Sequence, residues 1–148
     1  PITGDSVRLF LHVLGAAVWL GGQIVLAGLV PVLRRTSTPD VVRATARQFQ
    51  RLAWPAFALL LATGVWNLLA LDVAKESTEY QVTLFVKLGC VALAGIGSAL
   101  HSLLTGPAVS AAATEAEQRR RRALSGATAG LGLLFSLVAA YLGVLLNG

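Results

Sequence analysis

Three ionisable side chains stand inside long apolar stretches of this 148-residue chain: His12, Lys87 and His101. A charge or a titratable group in hydrocarbon is expensive, so each of them is a candidate for function. A neutral imidazole can bind copper, zinc or a haem iron and can shuttle a proton. A lysine near a membrane boundary can hold a ligand or extend its amine to water. Other chemistry is missing: there is no His-Glu-x-x-His, no Gly-x-Ser-x-Gly and no phosphate-binding glycine loop. None of the apolar stretches carries Asp or Glu, which disfavours a carboxylate proton relay. The chain has no methionine, so a thioether ladder for Cu(I) cannot exist, and its one cysteine, Cys90, cannot form an internal disulfide. The chain reads as a binding or transport protein before an enzyme.

The elements that must position these residues are transmembrane helices. With 55% hydrophobic residues, 13% charged residues and a mean hydropathy of +0.72, the composition lies outside the soluble norm. Apolar stretches run over about Val7–Leu33, Leu52–Leu71, Tyr80–Leu104 and Ala123–Leu146, each long enough to cross a hydrocarbon core. They show no period-2 alternation, and in lipid only helices or closed barrels satisfy the backbone, so the expected fold is all-α. A single transmembrane domain is expected, an integral membrane four-helix bundle covering residues 1–148. The first stretch is too long for a leader and runs into Arg34 and Arg35, so it is expected to be retained. The start at Pro1 would fit removal of an initiator methionine.

Orientation follows from the basic residues. Arg34, Arg35, Arg43, Arg47 and Arg51 precede the second stretch and Arg119–Arg122 precede the fourth, nine on one side. Only Arg8 and Lys75 fall on the other. By the positive-inside rule both termini are non-cytoplasmic, in a multi-pass cell membrane protein, the bacterial inner membrane being the expected location. The net charge of +5 is spent on topology, forms no stripe with interleaved aromatics, and indicates no nucleic-acid partner. Pro39-Asp40 reads as a helix start, which makes Asp40–Arg51 a cytoplasmic extension of the second helix with arginines at the anionic lipid surface. The Ala/Ser/Thr-rich piece Ala108–Thr114 reads as a loop or a weak helix.

Depth brings polar residues into one layer. His12, Asn67, Lys87 and Tyr141 each fall within roughly 6–11 Å of the outer boundary, one from each helix. Pointing inward, they would line an outward-opening pocket with Trp19 and Trp66 as walls; pointing outward, they would belong to the aromatic belt and the snorkelling layer. His101 follows Lys87 by 14 residues and so lies about 21 Å further along the axis, near the cytoplasmic end. One metal ion cannot take both histidines, since its bonds to nitrogen are about 2 Å. Small residues are expected where helices touch: Gly15, Ala16 and Gly22, then Gly89, Gly95 and Gly97, then Gly126, Gly130 and Gly132. The Gly126-x-x-x-Gly130 pair could serve a homodimer or a larger membrane complex as well as the bundle itself.

With those residues placed, the chain resembles the CopD copper-resistance family. His12-Val-Leu-Gly-Ala-Ala-Val-Trp19-Leu-Gly-Gly22 is similar to that family's first helix, and Gln48-Phe-Gln-Arg51-Leu-Ala with Thr63-Gly64 to its second. Tyr80 and Phe85-Val-Lys87-Leu resemble its third, although Gln81 stands where the family tends to have glycine. The resemblance implies a free-standing four-helix copy that handles copper in the membrane, with His12 as outer ligand and His101 as inner one. A more distant resemblance to HemJ-type protoporphyrinogen oxidases would imply haem b instead, with His12 as axial ligand and Lys87 facing a propionate or supplying a second ligand. A structural subunit of a membrane complex is the third alternative.

Overall fold

The computed structural model describes residues 2–105 and 114–147. The described residues hold helices and short turns and no strand. The first helical segment is α1 (Gly4–Ala16), a widened π-turn (Ala17–Gly21) and α2 (Gly22–Thr36). It is followed by α3 (Pro39–Ala70), a 3-10 turn (Val73–Lys75), α4 (Thr78–Leu104) and α5 (Glu115–Leu145). Four helical stretches, Gly4–Thr36, Pro39–Ala70, Thr78–Leu104 and Glu115–Leu145, are long and apolar enough to cross a membrane.

Local chemistry sets the boundaries beyond the apolar runs. Thr3 and Ser6 form a capping box ahead of α1, the Ser6 N–H donating to Thr3 Oγ1 at 3.2 Å and the Thr3 N–H to Ser6 Oγ at 2.9 Å. Pro39 stands at the first position of α3, where its missing N–H costs nothing, and the Asp40 carboxylate pairs with Arg43. The expected extension of the second helix is therefore present, and at 32 residues α3 is about 48 Å long, well beyond a hydrocarbon core. A second capping box, Thr114 with Glu117, starts α5 and carries Arg119–Arg122 inside the helix instead of in a connection. Of the Ala108–Thr114 piece only Thr114 lies within the described residues.

The chain forms two compact units, residues 1–76 and 77–148, each a helical hairpin. In the first, α1 and α2 pack on α3 through Gly15, Trp19, Ala53, Ala56 and Phe57. A Cβ at Gly15 would stand 3.0 Å from the Ala56 carbonyl oxygen and 3.2 Å from the Leu60 nitrogen, so the two backbones touch there. At Gly22 it would meet the Phe49 ring at 2.7 Å. In the second unit, α4 meets α5 through Leu84, Cys90, Ala94, Ser125, Ser136 and Ala139. There a Cβ at Gly97 would lie 3.3 Å from the Thr128 carbonyl oxygen, and one at Gly132 would lie 3.4 Å from Ser98 Oγ.

Not every expected contact glycine is one. Gly89, Gly126 and Gly130 have nothing within 4 Å of where a Cβ would stand, and Gly126 and Gly130 are exposed. The helical period explains the correction. Gly132 is six residues from Gly126 and two from Gly130, which turns it about 120° and 160° away from them. Both faces read as small from the sequence; only one meets the partner helix.

Candidate functional site

Each hairpin holds one histidine, tied by its Nδ1 to a hydroxyl residue on the facing helix. In the first unit, His12 Nδ1 lies 2.9 Å from Thr63 Oγ1. Thr63 is 3% exposed, and its hydroxyl donates to the Leu59 carbonyl at 2.7 Å. Thr63 Oγ1 thus links the imidazole to the backbone of α3. Gly64, next along α3, packs in ordinary contact with the imidazole: a Cβ there would lie 3.6 Å from His12 Cε1.

The second unit repeats the arrangement. His101 Nδ1 lies 2.9 Å from both the backbone oxygen and the Oγ of Ser125. A carbonyl oxygen only accepts, so Nδ1 carries the proton that bonds it. Ser125 is buried, and its carbonyl also accepts from the Thr128 hydroxyl at 3.0 Å. Such a bond on the far nitrogen fixes ring orientation and tautomer, as partners behind metal-binding histidines do.

The remaining expected site residues fall as follows. Lys87 is half-buried, with its Nζ 3.0 Å from where a Cβ of Gly143 would stand, so the missing side chain on α5 makes room for the ammonium. It has no ion pair or hydrogen bond among the described residues. Tyr141 is 63% exposed. Asn67 stands one turn beyond Thr63 and is half-buried. Trp19 is 4% exposed and belongs to an aromatic cluster: its ring centre is 4.4 Å from that of Phe57 and 5.9 Å from that of Trp54. Trp66 is 48% exposed.

Two polar residues had drawn no attention in the sequence. Ser125 became visible only as the partner of His101. Gln23 lies 11 residues, or about three turns, from His12, and its buried Nε2 has no hydrogen-bond partner among the described residues. An amide within an apolar run was the available signal. Among the described residues no group of three or more His, Cys, Asp or Glu could hold a metal ion. Each hairpin therefore holds one oriented imidazole, and among the described residues no cluster of such groups surrounds it.

The sequence model of the family described as copper resistance protein D matches residues 43–142, well over half of the chain. The match takes in Thr63, Lys87, His101 and Ser125, while His12 precedes it. No curated protein and no solved structure matches the chain. Four apolar helices and this match agree, and the chain belongs to the copper resistance protein D family of multi-pass membrane proteins.

Proposed function

We propose that this protein handles copper within the membrane, with the Nε2 atoms of His12 and His101 as its ligands, one in each hairpin. The observation that carries the reading is the shared construction of the two histidines. Both rings are held through Nδ1, at 2.9 Å, against a hydroxyl residue of the facing helix, the kind of contact that orients a metal-binding imidazole. Imidazole suits copper among the first-row metals, and a site of single imidazoles lets an ion leave as readily as it arrives. That is the behaviour required of a carrier, in which copper is cargo. On the orientation expected from the arginines, His12 would stand near the outer face and His101 near the inner one.

Copper bound per protein at equilibrium with added copper, measured for the parent and for His12→Ala, His101→Ala and the double variant, tests the reading. Each single variant is expected to lose about half of the copper and the double variant nearly all of it. Acidification should release the metal from the parent protein, because protons compete for the same nitrogens. Unchanged copper in the double variant would remove both histidines from the site. Haem absorption near the Soret region in a copper-free preparation would replace copper by a porphyrin.

A further inference from the structure

Arg47, Gln50, Arg51, Trp54 and Pro55 line a depression of about 380 Å³ on α3. Arg47 and Arg51 are exposed and one turn apart, so their guanidinium groups share a face. Arg43, a turn earlier, is neutralised by Asp40, whereas Arg47 and Arg51 have no ion pair among the described residues. Trp54 gives the depression a rigid wall. It packs on the buried Trp19 at 5.9 Å and stands edge-on to Phe57 at 6.0 Å, yet remains 37% exposed.

The level of this depression in the membrane follows from the sequence. Arg51 is the last charge before the apolar run that begins at Leu52, and Trp54 lies about 4.5 Å further along the helix axis. Indole rings and lipid headgroups meet at that boundary. An anionic lipid brings its phosphate to this level, whereas a free phosphate has no anchor in the bilayer.

We propose that Arg47 and Arg51, beside Trp54, form a headgroup site for an anionic phospholipid. Guanidinium groups bind phosphate oxygens through paired, charge-assisted hydrogen bonds. A zwitterionic lipid carries the same phosphate, but its ammonium group meets two positive charges, so the site selects net negative charge.

The test uses the full chain in detergent, titrated with dioleoyl phosphatidylglycerol or dioleoyl phosphatidylcholine and read by native mass spectrometry. The first phosphatidylglycerol should bind about tenfold tighter than phosphatidylcholine. The double variant Arg47→Gln/Arg51→Gln should abolish that preference. Arg34→Gln/Arg35→Gln, which removes the same charge from exposed positions at the end of α2, should change it less than about twofold. Equal losses in the two double variants would replace the site by a diffuse surface potential and overturn the proposal. So would the absence of any preference in the parent, or displacement of the lipid by equimolar inorganic phosphate.

Discussion

At the scale of single residues, the histidine anchors differ in a way that can be measured. Thr63 supports His12 with a side-chain oxygen, whereas Ser125 supports His101 with a backbone oxygen as well as its hydroxyl. Thr63→Val keeps the shape and removes the hydroxyl, leaving the half-buried Nδ1 of His12 without that bond. Copper affinity at His12 is expected to fall about 10- to 100-fold, with a loss of about 1–2 kcal/mol in stability. Ser125→Ala retains the carbonyl, so the fall at His101 should be no more than about threefold. Copper competition titrations, with His101→Ala and His12→Ala backgrounds isolating each site, check the contrast. Equal effects from the two variants would mean that the hydroxyls orient neither ring.

At the scale of elements, lipid removes the hydrophobic drive for helices to associate, and close packing of small residues takes its place. Gly15 and Gly97 lie against backbone atoms of the facing helix, which cannot move aside as a side chain can. Replacing either with leucine should cost about 1–3 kcal/mol of stability, seen as a lower thermal midpoint in detergent. Gly130→Leu places its side chain in open space and should stay within about 0.5 kcal/mol of the parent. A loss at Gly130 as large as that at Gly15 would show that the exposed glycine face is packed after all, against a second copy or another subunit. The π-turn acts at this scale too. A widened turn at Ala17–Gly21 rotates α2 relative to α1, so the face set by His12 and Gly15 does not carry on in simple α-helical phase to Gly22 and Gln23.

At the scale of the whole molecule, the charge asymmetry predicts which ends face which compartment. In a Cys90→Ala background, a cysteine at Ser77 should react with a membrane-impermeant thiol reagent added outside, and one at Ser37 should not. Ser77 caps α4 at the end with few basic residues, and Ser37 follows Arg34 and Arg35 at the end of α2. The reverse pattern would invert the chain and exchange the compartments assigned to His12 and His101. The headgroup site would then face the opposite leaflet while keeping its lipid preference.

The number of the helices and their apolar spans were legible in the sequence, because hydrocarbon demands about 20 apolar residues and a fully bonded backbone, whereas the start of α5 at Glu115 was not. The same demand marked His12, Lys87 and His101 as costly, and Pro39 announced where α3 begins. What required the tertiary structure was rotation about each helix axis. One residue turns a helix by about 100°, so glycines two positions apart face nearly opposite ways, and sequence spacing alone did not choose Gly132 over Gly130. No motif announces the π-turn that buries Trp19 against Phe57. The partners Thr63 and Ser125 are 51 and 24 residues from their histidines, and hydroxyl residues are common in membrane helices. Only the packing of one helix on another decided which nitrogen of each imidazole is held by the facing helix.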